Sequence, residues 1–200
     1  MKDLLDELNR VIGLIDRAEA LLDWSQDLSG LFELGLSKTS NKQQYLTSGP
    51  MMLLVIQVNL FFQDAILCIN TVLFGDTSEN EEEIGLPYII QKYGERIYKT
   101  NPAFKNRFDE AKKLYENSQL KIIRNKLIAH KDLMKSGDAI AGFMHRYNNI
   151  VMNNLKEVIL ILRGSVAGFN VPRDNGFKDF YMPAFKILKS TVEPKTSNNS

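Results

Sequence analysis

Cysteine is almost absent from this chain: Cys68 is the only one in 200 residues. One thiol excludes an intrachain disulfide framework and any zinc site built on clustered thiolates. Histidine is nearly as scarce, with only His130 and His145. A multi-histidine metal centre is therefore not expected, and the reading assigns no metal and no cofactor. An excess of one charge is missing as well: 25 basic residues face 24 acidic ones, a formal net charge of +1. A protein that coats polyanions indiscriminately carries a large basic excess. The opening residues, MKDLLDELNR, lack the uninterrupted apolar run of an export signal. The most apolar stretch, 50–75, is long enough to span a bilayer, but Gln57, Asn59, Gln63, Asp64 and Asn70 interrupt it. A buried helix is the better reading, and a cytoplasmic location is the expectation.

What remains is ordinary globular composition, 44% apolar and 24% charged. The length fits one domain over 1–190, followed by a polar tail at 191–200 that reads as disordered. Leu4, Leu8, Val11, Ile15, Ala18 and Leu22 recur every three or four residues, one face of a helix that fades near residue 34. Ser48-Gly49-Pro50 predicts the start of a second helix, over about 50–74, apolar on most of its circumference and therefore central. The segment GDTSENEEE reads as a solvated acidic loop, and a short helix is expected over 86–93. Asn101-Pro102 starts a third long helix with Phe104, Phe108, Ala111, Tyr115, Ser118 and Ile122 on its core face. A turn at 135–138, with Ser136 or Asp138 as cap, leads to a fourth helix marked by Ile140, Phe143, Tyr147, Val151, Leu155, Val158 and Leu162. Phe169, Phe177, Phe180, Tyr181 and Phe185 are expected to pack across the bundle. No strand pattern or internal repeat is present. The fold class is all-α, an antiparallel bundle of four to five helices.

The third helix ends in Lys121-Ile122-Ile123-Arg124-Asn125-Lys126-Leu127-Ile128-Ala129-His130-Lys131-Asp132. An Arg-Asn pair with His five residues after the Asn, near the end of a late helix in an all-α chain, resembles the signature of the HEPN superfamily. The order of an acidic first helix, the apolar VNLFFQDAILCINTVLFGD and then RNKLIAH resembles the abortive-infection, AbiU-type branch. The motif covers about a dozen residues and the helix order about residues 1–165. The resemblance implies a HEPN-like bundle and a metal-independent endoribonuclease, a toxin or phage-defence effector acting on single-stranded RNA. Catalysis would fall to Arg124, Asn125 and His130, with Lys121, Lys126 and Lys131 beside them as RNA-binding cations. The family also implies a homodimer, and an antitoxin or nucleotidyltransferase as partner.

The residue types suit that chemistry. A histidine, with a pKa near ~6.5, can take a proton from a ribose 2′-hydroxyl at neutral pH. An arginine can grip two phosphate oxygens and stabilise charge that builds in the transition state. An asparagine can orient an oxygen or the imidazole. On an ideal helix Arg124 and His130 stand roughly 120° apart around the axis and about 9 Å along it. Leu120, Ile123 and Leu127 lie between them as an apolar stripe separate from the core face. That stripe is expected to be a two-fold dimer interface that brings two motifs into one cleft.

Plainer readings exist for every residue. Arg124 and His130 can be ordinary cations at a helix end, and His145 an interhelix residue. Asp64 is expected to pair internally, with an arginine as the natural partner. Cys68 reads as a small buried apolar residue, and Trp24 as packing. Two other functions fit: a non-catalytic module that binds RNA or nucleotide or serves a partner, and a helical interaction scaffold with a coincidental motif. Charge separation bears on the choice. In residues 1–35 three basic residues face eight acidic ones, and in 105–135 nine basic face four acidic. A local basic cleft for one strand is compatible with overall neutrality.

Overall fold

A computed structural model describes residues 2–38, 40–41, 48–75, 85–129, 149–169 and 183. Among these, all regular structure is helical: α1 (Lys2–Lys38), α2 (Gly49–Phe74), α3 (Leu86–Thr100), α4 (Phe104–Asn117), α5 (Gln119–Ala129) and α6 (Asn149–Val166), followed by a 3-10 turn, Ala167–Phe169. The all-α expectation holds. The described residues form six helices where four to five were expected, chiefly because the third long helix is divided in two.

The long amphipathic α1 lies along α2, and α4 lies along α6, which also touches α1. The α1 face read from the sequence is the buried one: Leu4, Leu8, Val11, Ile15, Ala18 and Leu22 all enter one continuous core. Trp24 packs at a tilt against Phe61 with ring centroids 5.5 Å apart, a packing role as expected. The α2 helix starts where Ser48 and Pro50 place it, with Ser48 in extended conformation and the proline in the first turn. Its burial differs from expectation. Leu54, Val58, Phe62, Ala65, Ile69 and Val72 enter the core, but Leu53, Ile56 and Leu67 on other faces are exposed. The stretch Leu53–Phe74 is long and apolar enough to cross a membrane by length and composition; in this fold one side of it is used against α1. Cys68 is buried between the helices. Burial pushes its thiol up, and the charges of Arg17 and Asp64 act on it in opposite directions.

Two glycines join α2 to α3. Gly75 ends α2 with φ 78°, donating its N–H to the Thr71 carbonyl at 2.9 Å. Gly85 opens α3 with φ 149°. A Cβ at Gly85 would stand 2.7 Å from the Gly75 Cα and 2.8 Å from the Thr71 carbonyl oxygen. Only a residue without Cβ permits both the backbone angle and the approach. Gly85→Ala is therefore expected to destabilise the fold by about 1–3 kcal/mol, read as a lower urea midpoint with unchanged slope. An unchanged midpoint would show that this junction tolerates strain. The α3 helix continues to Thr100, beyond the short segment expected, and buries Leu86, Ile89 and Ile97.

The C-terminal end of α6 is tied down by the start of α4. The last carbonyls of a helix have no partners within it. Here the Asn101 side-chain amide donates to the Ser165 carbonyl at 2.8 Å, and its oxygen accepts the Ala103 N–H at 3.2 Å. The Arg107 guanidinium donates to the Gly164 carbonyl. Asn101 is thus not the expected cap of α4, which begins at Phe104 with Ala103 at its N-cap and no side-chain cap; it ends α3, turns the chain through its bond to Ala103, and fixes α6. Phe169 then meets Phe104 edge-on at 6.1 Å. On the other side of α6, Arg163 bridges to Asp16 at 2.5 Å and to Glu19 of α1. The arginine neutralises carboxylates that partial burial would otherwise penalise. The expected acidic loop beyond Gly75, the caps at Ser136 and Asp138, His145 and the aromatics Phe177 to Phe185 lie outside the described residues.

Candidate functional site

The motif segment owes its placement to Ser118. A continuous helix from Phe104 to Ala129 would keep Ile122 on the face of Phe108 and Tyr115. Ser118 instead takes an extended conformation, φ −96° and ψ 172°. Its hydroxyl donates to the Tyr115 carbonyl at 2.9 Å and accepts the Leu120 N–H at 3.3 Å. One serine thereby closes α4 and caps the N-terminus of α5, the role for which serine is favoured. The helix restarts with its phase changed.

The change of phase corrects two expectations. Ile122, placed in the core stripe by periodicity, is 56% exposed. Leu120 and Ile123, expected at a dimer interface, are 0% and 6% exposed and belong to the core of their own chain. Their apolar surface is already covered, so they offer nothing to a second copy. The side chains of Lys126 and Leu127, and all of His130 and Lys131, lie outside the described residues. Lys121 is exposed on the first turn of α5.

Arg124 and Asn125 are brought together. Arg124 Nη1 donates to Asn125 Oδ1 at 3.1 Å. Arg124 is neither fully buried nor free in solvent: its Nε is buried without a hydrogen-bond partner among the described residues. A second unsatisfied group lies on α4. Tyr115, on the last turn of α4, is 0% exposed, and its hydroxyl also has no partner among the described residues. Its ring packs against Phe74 with centroids 5.7 Å apart, and Lys112 Nζ lies 5.2 Å from the Phe74 ring centre. Burial pushes the Tyr115 phenol up from its ordinary value, and the nearby Arg124 charge offsets part of that rise. Leaving a buried hydrogen-bonding group unmade costs about 1–3 kcal/mol. The Tyr115 hydroxyl and the Arg124 Nε share this state with Asp16 and the Arg163 Nε, and the Arg124 charge acts on the Tyr115 phenol.

The raised phenol has a consequence at high pH. The folded chain keeps the Tyr115 proton above 10.0, the ordinary value, where the unfolded chain releases it. Stability contributed below that pH is lost as pH rises above it. Tyr115→Phe is expected to flatten the alkaline decline, measured as urea midpoints between neutral and strongly alkaline pH. Parallel curves for the two proteins would refute this assignment.

Sequence periodicity identified Tyr115 as a core residue but gave no sign of its relation to Arg124. Nine residues on a continuous helix place two side chains on opposite faces, and about 13.5 Å apart along the axis. The interruption at Ser118 changes that relation, and the Arg124 charge acts on the Tyr115 phenol. The corner itself contains one cation and two neutral polar groups that can present hydrogen-bond donors to an oxyanion. No group of three or more His, Cys, Asp or Glu arranged to hold a metal occurs among the described residues. Compared with known proteins, the chain matches no family model, no curated sequence and no solved structure.

Proposed function

We propose that this chain is a HEPN-like bundle acting as an endoribonuclease on single-stranded RNA, a cytoplasmic toxin or phage-defence effector that works without a metal. The observation that carries the reading is Arg124: an arginine of the RNKLIAH segment, partly buried on a short helix, with one edge of its guanidinium held by Asn125 at 3.1 Å. An arginine so held is oriented before it meets a ligand, and a preset fork suits phosphate better than a mobile chain end.

In this mechanism His130 accepts the proton of a ribose 2′-hydroxyl. The freed 2′-oxygen forms a bond to the adjacent phosphorus, and the bond from phosphorus to the 5′-oxygen breaks. The imidazolium returns its proton to that leaving oxygen, and a cyclic phosphate remains. Arg124 binds the non-bridging oxygens, whose charge grows in the transition state. Asn125 holds Arg124 in place, and the exposed Lys121 helps to draw the strand to this end of the bundle. Two copies pairing here would use the exposed Ile122 in place of Leu120 and Ile123. An antitoxin or nucleotidyltransferase partner would act by covering the same end.

The test is incubation of purified protein with single-stranded RNA in EDTA. Cleavage is expected. Binding without turnover would replace the nuclease with a non-catalytic RNA-binding module.

A further inference from the structure

The outer side of α3 carries a cluster that the motif does not use. Three of the chain's seven tyrosines, Tyr88, Tyr93 and Tyr98, lie on this helix of 15 residues, interleaved with Lys92, Arg96 and Lys99. The three cations are exposed, while Tyr88 and Tyr93 are half-buried and seated against the core. At ~100° per residue, Tyr88, Lys92, Arg96 and Lys99 fall within an arc of about 80°, and Lys99 stands about 10.5 Å along the axis from Lys92. Glu95 borders that arc and is the one acidic residue of the helix.

Lys92 is the centre of the cluster. Its Nζ lies 5.3 Å from the Tyr88 ring centre and 5.2 Å from that of Tyr93, and it donates to the Tyr88 hydroxyl at 3.2 Å. An anion already meets it. Glu7 of α1 places one carboxylate oxygen 3.8 Å from Lys92 Nζ and the other 3.9 Å from Arg10 Nη1. Both contacts are long and open to solvent, and pairs of this kind contribute little. The carboxylate marks where an anionic oxygen reaches this cation, and it can give way to a phosphate at small cost.

We propose that this face of α3 binds single-stranded RNA: bases stack on the Tyr88 and Tyr93 rings, and Lys92, Arg96 and Lys99 hold the phosphates that join them. The choice of RNA rests on the proposed function, and the surface itself rests on the contacts around Lys92. Stacking on a tyrosine suits every base, because each has a π-face, and cations beside the rings track the backbone. One motion serves both ends. Lys92 leaves the two rings for an incoming phosphate, a stronger partner than a π-face, and the rings are then free for bases. An acidic peptide would use the cations and leave the rings without partners. A duplex offers phosphates, but its bases are already stacked on one another. An unpaired strand uses both halves of the cluster. The surface is on a different helix from Arg124, so it holds the strand and takes no part in the bond changes.

The test measures the affinity of the full chain for three probes of equal length: a 2′-O-methyl single-stranded oligonucleotide that cannot be cleaved, the same oligonucleotide without bases, and poly-glutamate. The base-bearing probe should bind most tightly. Tyr88→Leu combined with Tyr93→Leu keeps apolar bulk against the core and removes the stacking faces. It should weaken the base-bearing probe by about 5- to 150-fold and leave the abasic probe unchanged. Lys92→Gln, at an exposed position, should lower the slope of log affinity against log salt by about 0.7. Equal losses on the two oligonucleotides in the leucine pair would make the tyrosines structural and overturn the proposal. Unchanged affinity and salt slope in Lys92→Gln would overturn it too, and this variant decides the matter if the leucine pair does not fold. Poly-glutamate bound as tightly as the base-bearing probe would overturn RNA as the ligand. Wild-type protein that binds the oligonucleotide but leaves a cleavable one intact in EDTA would remove the nuclease reading and keep this surface. Cleavage with normal binding in both variants would remove the surface and keep the nuclease, and binding of no probe would overturn both.

Discussion

On the proposed function, His130→Ala is expected to lower cleavage of single-stranded RNA in EDTA by about 10²–10⁴-fold, the contribution of a positioned general base. The effect should fall on kcat with little change in KM, because an imidazole that moves a proton acts in the transition state rather than in binding. Arg124→Ala should act on both, since the guanidinium meets the phosphate before and during reaction. The two variants therefore divide the motif into a base and an electrostatic clamp. Circular dichroism and the thermal midpoint should show both folded. Cleavage that survives in His130→Ala would end the assignment of His130, and the activity would then have to be sought in a contaminant or another residue. The profile is distinctive because no loss of fold can imitate it: a destabilised protein loses active molecules and recovers on cooling, whereas a missing base does not.

The largest effect on the fold is expected from Leu120→Asp. Leu120 is 0% exposed in the core where α5 begins. A full Leu burial is worth about 1.5–3 kcal/mol, and a carboxylate in its place adds a charge with no partner in an apolar site. The sum is a large share of the ~5–15 kcal/mol that holds a domain together, so the variant should be largely unfolded by circular dichroism at room temperature. Ile122→Asp, two residues away and 56% exposed, should change the midpoint by at most about 0.5 kcal/mol. The pair tests the change of phase at Ser118. Were α4 and α5 one unbroken helix, the ranking would be reversed, because Ile122 would share the buried face of Tyr115. Sedimentation of Ile122→Asp also reads out association: a change from dimer to monomer would place Ile122 at the contact between copies.

Much of the fold was legible in residue order because helical burial is periodic. The α1 stripe from Leu4 to Leu22 and the α6 stripe Val151, Leu155, Val158 and Leu162 are buried as their spacing requires. The start of α2 at Ser48-Pro50 followed from local chemistry, since a cap or a proline acts within a few residues of itself, whereas Asn101, expected as the cap of the next long helix, ends α3 and lies two residues before the N-cap of α4. The α2 helix was read less well. Its composition is apolar on most of its circumference, which predicted a central helix, and composition does not tell which face meets another helix; Leu53, Ile56 and Leu67 are exposed. Ser118 was the costly misreading. It sits at a core-face position of a good helical pattern, and periodicity counted it as a member of the stripe rather than as the end of one helix and the cap of the next.

By itself, the sequence determined the all-α class, the helix faces of α1 and α6, the lack of a cysteine framework and the presence of the Arg-Asn-spacer-His segment. These are properties of composition and of neighbours a few residues apart. The tertiary structure alone decided that Leu120 and Ile123 serve their own core, that Ile122 faces out, and that the Arg124 charge acts on the buried Tyr115 phenol. The reason is geometric: a single extended residue between two helices resets the angular count of everything after it. Which side of α5 then turns inward is settled by packing against the other helices, and no local pattern carries that information.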